Sequence, residues 1–266
     1  MSSNGTRLRL ICRMDDAGSC RSAYEAIEEV LANGYARCVS VMACCAYFDE
    51  AAEMLRRHPE ACIGVHLTLN AEWDDVKWGP VLPPDRVPSL VDERGMLLPH
   101  PRASHERGAD PDEVLAEMEA QLARMREAGL DVKYMDQHMG FGWLEGVAER
   151  LEGLARREKL LQTPDKAAGL PVVGGQFADI GDQIVARLRA ATGGLYLLVG
   201  HPGYDRPDMR AFGHAGLEPG QVARERVRQR LQFMSPKVAE YAAAHGVQFV
   251  TYADVLTLDA GTETAR

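Results

Sequence analysis

The 266-residue chain contains no apolar run close to the roughly 20 residues that a bilayer crossing requires, and Met1 to Arg7 lacks the apolar core of a signal peptide. A soluble, cytoplasmic protein without a membrane partner is the expectation. Nor is there a basic stripe. The net charge is −9, and Lys and Arg are mixed with Asp and Glu on the predicted helix faces, which excludes nucleic acid as an expected partner. No Cys-x-x-Cys pair occurs. Cys12, Cys20, Cys38, Cys44, Cys45 and Cys62 fall early in the chain, mostly inside apolar runs, which favours buried reduced thiols over disulfides or a redox site. Internal repeats and interdomain linkers are absent too. A single domain over residues 1–266 is expected, with an insertion at about 70–101 and a frayed tail at about 259–266.

What is present is a regular alternation of short apolar runs and helical patterns in a chain that is 46% hydrophobic. Leu8 to Met14 reads as a strand. Ser22 to Asn33 reads as a helix, with Ala23, Ala26, Ile27, Val30 and Leu31 at helical spacing and Gly34 closing it. Strands at 36–43 and 61–69 flank a helix at 48–58. This is a β-α-β-α-β run with short joins, which implies parallel strands and helical crossovers. The stretch from Asn70 to Pro101 breaks the rhythm with Gly79, Pro80, Pro83, Pro84, Pro88 and Gly95, and reads as a functional loop. Beyond it come a helix from Asp110 to Ala128, a strand from Val132 to Asp136 and a helix from Leu144 to Lys159. A short strand is expected near 170–173, then a helix at 180–191 and a strand at 195–199. Helices at 219–231 and 236–245 and a strand at 247–251 complete the pattern.

Chemistry gathers at the ends of these strands, where side chains of a parallel sheet face the ligand-binding mouth. The first strand runs into Asp15-Asp16, which offers one carboxylate for a cation and another for a proton. His66 lies in the third strand and Asp136-Gln137-His138 ends the fourth. Asp16, His66 and His138 form an oxygen and nitrogen donor set that suits zinc and similar divalent ions. Asp136 is placed to orient a metal-bound imidazole from behind. His201, directly after the late strand and before Pro202-Gly203, is free of metal duty and suits a general acid. Trp73 and Trp78 in the insertion, and Trp143 in the turn after His138, offer flat apolar faces of the kind that sugar rings stack on.

Met14-Asp15-Asp16-Ala17-Gly18, Gly64-Val65-His66-Leu67-Thr68-Leu69, Asp136-Gln137-His138 and Gly200-His201-Pro202-Gly203, in that order, resemble the motifs of the YdjC-like carbohydrate (chitooligosaccharide) deacetylases. Ser40-Val41-Met42, the run from Pro88 to Gly95, and Glu117 to Gln121 agree with them, so the likeness runs from about Leu8 to Leu256. It implies an α/β fold, a distorted (β/α) barrel related to polysaccharide deacetylases, with one divalent ion, Zn2+ or Mg2+, held by Asp16, His66 and His138. It also implies hydrolysis of N-acetyl groups on a small-molecule amino sugar or oligosaccharide, with Asp15 as general base and His201 as general acid. One departure stands out: Gly140 and Gly142 occupy positions where the family is commonly rich in His. A metal-dependent phosphoesterase and a non-catalytic carbohydrate-binding barrel are the competing readings. A phosphoesterase would call for two metals and a larger donor set. For assembly, a homodimer is the expectation from general prevalence alone.

Overall fold

The structure, a computed structural model, describes residues 7–162 and 167–255. Strand β1 (Leu8–Ala17) lies at the centre of the sheet, with β2 (Cys38–Val41), β3 (Cys62–Leu67), β4 (Val132–Gln137) and β5 (Leu161–Gln162) following on one side. On the other side lie β7 (Gly194–Gly200) and then β6 (Ala168–Gly169). Strand β8 (Gln248–Val250) pairs with the first half of β1 at Arg9 to Ile11, while β2 takes the second half from Arg13 to Ala17. Every pairing between these strands is parallel. The sheet curls into a (β/α) half-barrel with helices around it, and all its strands end at one mouth.

Helices form where apolar spacing reaches 3.6 residues, and each turns that face onto the sheet. The helix α1 (Arg21–Asn33) buries Ala23, Ala26, Ile27, Val30 and Leu31, and α2 (Phe48–Arg56) buries Phe48, Ala51, Ala52 and Leu55. Two more follow in the middle of the chain, α3 (Pro101–Arg107) and α4 (Pro111–Glu127). Helix α4 starts on a strong signal: Asp110 accepts from the Asp112 amide at 2.8 Å and Pro111 occupies its first turn. Beyond it run α5 (Val147–Glu158), α6 (Ile180–Ala190), α7 (Pro207–Arg210), α8 (Gln221–Gln232) and α9 (Pro236–His245).

Alternation along the strands separates two cores. Leu10, Cys12, Met14, Val39, Val41, Val65 and Met135 pack beneath the helices. Ile11, Cys38, Cys62, Tyr134, Leu161 and Tyr252 fill the concave side, below the mouth. Gly64 makes this inner layer possible, because a Cβ there would lie 2.2 Å from the Tyr134 ring. All six cysteines are free thiols, five of them buried.

The insertion at 70–101 is more ordered than its Pro and Gly content implies. Helix α3 begins at its end, a short 3-10 turn spans Pro84–Arg86, and Val87, Leu90 and Leu97 are buried. One face of α4 anchors it. Glu113 accepts from the Ser89 amide, Glu117 from the Val81 and Leu82 amides, and Gln121 exchanges two hydrogen bonds with Thr68. The strand expected near 170–173 is displaced: β6 lies at Ala168–Gly169, and Pro171 precedes a solvent-exposed Val172. The tail at about 259–266 lies outside the described residues.

Candidate active site

Asp15 and Asp16 are adjacent on β1, so a regular strand would point them to opposite faces. The backbone avoids this. Asp16 adopts φ +66°, and the pairing of β1 with β2 slips between Met14 and Ala17, which turns both carboxylates toward the mouth. The Ser19 amide and hydroxyl both donate to the Asp16 carbonyl, at 3.1 and 2.8 Å, and hold that conformation. His66 is opposite Asp136 in the β3–β4 register, and the His138 amide extends that ladder by donating to the Leu67 carbonyl at 2.9 Å.

Three donor atoms meet there. Asp16 Oδ1 lies 3.4 Å from His66 Nε2 and 3.6 Å from His138 Nδ1, and the two imidazole nitrogens are 3.3 Å apart. Behind them, His66 Nδ1 faces Asp136 Oδ2 at 2.7 Å and His138 Nε2 faces Glu72 Oε2 at 2.9 Å. In its neutral form each imidazole therefore gives its outer N–H to a carboxylate and turns a lone pair inward, a tautomer assigned from the hydrogen-bond network. Asp16 Oδ1 is buried without a hydrogen-bond partner. Three donor atoms this close call for positive charge between them, which protons on the imidazoles or a bound cation can supply. Three vertices of a tetrahedron around an ion bound at 2.0–2.1 Å are about 3.4 Å apart, which matches the triangle.

Charge agrees with geometry. Asp15, Asp16, Glu72 and Asp136 are four carboxylates, and Arg13 and Arg226 are the guanidinium groups paired with them. With neutral imidazoles the cluster carries two net negative charges, which a divalent ion balances. The same field acts on protons. Burial would lower the His66 imidazole, but Asp136 and Asp15 raise it well above the ordinary histidine value. Against burial, Asp16 and Glu72 push His138 up to about 9. Burial alone would raise the Asp16 carboxyl, yet His201 and Arg226 hold it well below the usual carboxylate range.

A second grouping of Asp15, His66 and Asp136 carries its own cation. Arg13 donates to both Asp15 oxygens, at 2.7 and 2.8 Å, and reaches Asp136 Oδ2 at 3.1 Å. This fork fixes the plane of the Asp15 carboxylate beside the triad. Across a cavity of about 440 Å³ stands His201. Its Nδ1 faces Gln229 Oε1 at 2.8 Å, so Nε2 turns to the cavity. Burial and the nearby Arg226 lower its pKa, leaving the ring neutral at pH 7.

Asp15, Asp16, His66, His138, His201 and Trp73 all line that cavity. Trp73 stacks on His214 with ring centroids 6.2 Å apart and packs edge-on against Phe212. The other two tryptophans lie outside the lining. Trp78 supports the site from behind, donating to the Asn70 carbonyl at 2.7 Å with its ring edge-on to His138. Trp143 is 59% exposed and packs on His105. Asp136 lies beneath His66. Gly142 leaves room for Gln137, whose Oε1 accepts from the Phe141 and Gly142 amides at 2.9 and 2.6 Å. Sequence reasoning missed Arg13, Glu72, Arg226 and Gln229. Arg13 was legible, being two residues before Asp15 and so on the same strand face. Glu72 is masked by its irregular loop, and Arg226 and Gln229 by a helix with few apolar residues.

Fold and site define an α/β-barrel protein with one aspartate and two histidines, grouped at the mouth of its sheet, that could hold a metal ion. The chain belongs to the YdjC-like protein family, whose model matches residues 9–244. It is 28% identical over 260 residues to a carbohydrate deacetylase of Geobacillus stearothermophilus, covering 93% of this chain and 98% of that protein. A carbohydrate deacetylase of Thermoanaerobacter pseudethanolicus is 31% identical over 132 residues, and there the match spans 49% of the relative's length. Among solved structures, an Enterococcus faecalis protein described as a cellobiose-phosphate cleavage protein superposes with a TM-score of 0.79 at 23% identity, over 94% of this chain and 99% of that one. A CE4 esterase from Streptococcus mutans gives 0.52 at 13% identity, over 93% and 87%. These two likenesses are of fold.

Proposed function

We propose that the protein is a metal-dependent carbohydrate N-deacetylase that removes the acetyl group from an amino sugar or acetylated oligosaccharide. Its support is the convergence of three donor atoms beside a clamped carboxylate, in a family whose curated relatives are named carbohydrate deacetylases. Asp16, His66 and His138 would hold the ion, and two imidazoles with one carboxylate favour zinc over magnesium, which seeks six oxygens. Such an ion supplies a water with a pKa lowered to roughly 7 and polarises the acetyl carbonyl.

The remaining chemistry falls to side chains. Asp15 takes the proton of the attacking water, and Arg13 keeps its carboxylate from swinging away. Asp136 and Glu72 keep the imidazole lone pairs turned inward. His201, neutral at rest, takes up a proton from solvent and hands it to the departing nitrogen. Trp73 offers a sugar an apolar wall. The products are acetate and a free amino sugar.

A two-metal phosphoesterase is disfavoured because Arg13 already occupies the second carboxylate and histidine cluster. The deciding experiment measures acetate release from a panel of N-acetylated mono- and oligosaccharides by protein reconstituted with zinc. Wild type should release acetate. Asp15→Asn should lose on the order of 10²–10⁴ in rate with its metal content intact, whereas His66→Ala should lose the metal itself. Hydrolysis of phosphate esters without acetate release from any sugar would replace this reading.

A further inference from the structure

We propose that Arg226 is a positioning residue that divides the Asp16 carboxylate, leaving one oxygen for the cation, and thereby sets which ion the site accepts. This rests on the metal-dependent reading above. Arg226 Nη2 lies 3.0 Å from Asp16 Oδ2, whereas Oδ1 is the buried oxygen without a hydrogen-bond partner that faces His66 and His138. The two oxygens have therefore been given different work. Oδ2 is neutralised by a guanidinium from α8, and Oδ1 is kept for the triangle. A carboxylate offering one oxygen fills one vertex of a small tetrahedral ion, whereas a bidentate carboxylate suits larger ions with six to eight oxygen ligands.

The sequence makes room for this contact. Gly203, in the Gly200-His201-Pro202-Gly203 motif, has no φ demand that needs glycine. A Cβ there would lie 2.9 Å from Arg226 Cβ and 2.6 Å from Met209 Cε. The bare backbone at 203 lets the Arg226 side chain pass between α7 and the mouth to reach Asp16. One helical turn along α8, Gln229 accepts from the His201 amide at 2.6 Å, so the helix is pinned to the loop that it crosses. Arg226 thus sits in a prepared passage, its side chain only 12% exposed.

Removing Arg226 has two effects that one measurement separates. The lost positive charge raises the affinity for every divalent ion alike, so it cancels in a ratio of two affinities. Freeing Oδ2 lets Asp16 turn to bidentate binding, which favours the larger ion selectively. Ion-free protein is titrated with Zn2+ and with Ca2+ in competition with a chromophoric chelator, for wild type, Arg226→Gln, Arg226→Lys and Gly203→Ala. Thermal melts of the ion-free proteins serve as the folding control.

Wild type should prefer zinc. Arg226→Gln should lower the zinc-to-calcium affinity ratio by at least about tenfold, the scale on which an orienting partner acts on metal affinity. Arg226→Lys should keep more of the preference than Gln does. Gly203→Ala, which removes no charge, should move the ratio in the same direction by displacing Arg226. If Arg226→Gln does not fold, the Gly203→Ala ratio decides. An unchanged ratio in the folded variants, with wild type binding zinc, overturns the assignment of Arg226 alone. Failure of wild type to bind zinc overturns the metal reading and this inference with it.

Discussion

Asp16 does at a single residue what a regular strand cannot. Left-handed backbone is costly for most side chains, by roughly 1–2 kcal/mol, and Asp is among the few that tolerate it. The strain is localised where it turns a second carboxylate into the mouth. Across the cavity, His201 makes a pH-dependent prediction. A general acid must be protonated to work, and burial together with Arg226 lowers the pKa of this ring. The fraction able to donate therefore declines with rising pH from below the ordinary histidine value, and a divalent ion nearby shifts it further the same way. The alkaline limb of kcat/KM should lie below pH 6.5, and His201→Gln should lower the rate and abolish that limb. A profile whose alkaline limb survives the substitution would assign the acid elsewhere.

Among the elements, the inner faces of β3 and β4 form the floor of the site. Tyr134 lies across Gly64, exchanges a hydrogen bond with Ser40 at 2.9 Å and meets the Tyr252 ring at 4.0 Å, so three parts of the chain close the base beneath the triad. Gly64→Ala forces the Tyr134 ring to move, because the ring has no empty space opposite. It should cost on the order of 3 kcal/mol, read as a lowered urea midpoint, and should weaken metal binding through the adjacent His66. A midpoint equal to wild type would mean that the inner layer has slack. The insertion behaves as an element in its own right, since α4 holds it through Glu113 and Glu117 and grips Thr68, just before it, through Gln121, the three being four residues apart on one helix face. That spacing is visible in the sequence. What it grips is not, because the partners are backbone amides 24 to 53 residues away.

For the molecule as a whole, ion binding and stability are linked. Without an ion, the carboxylates of the mouth must be balanced by protons, and Asp16 and Glu72 already push His138 up to about 9. An ion binding at pH 7 therefore displaces protons, and its hold weakens as pH falls. A site filled at a hundred times its dissociation constant adds about 2.7 kcal/mol. Chelation should thus lower the melting temperature by roughly 5–10 °C for a chain of this size, and zinc should restore it. In His66→Ala, zinc and chelator should make no difference to the melt. A wild-type melt indifferent to both would speak against any cation at the triad. The order of the longer strands and helices, and the residues that cap those strands, followed from the sequence alone, because hydrophobic period and turn chemistry are local properties, whereas β5, α3 and α7 are too short to show a period. So did the donor types of Asp16, His66 and His138, because they are fixed by residue identity. Only the tertiary structure decided that Glu72 from the insertion, Arg226 from a helix with few apolar residues and Arg13 from below would complete the site. Which charge balances which depends on distances across the fold, and no local pattern encodes them.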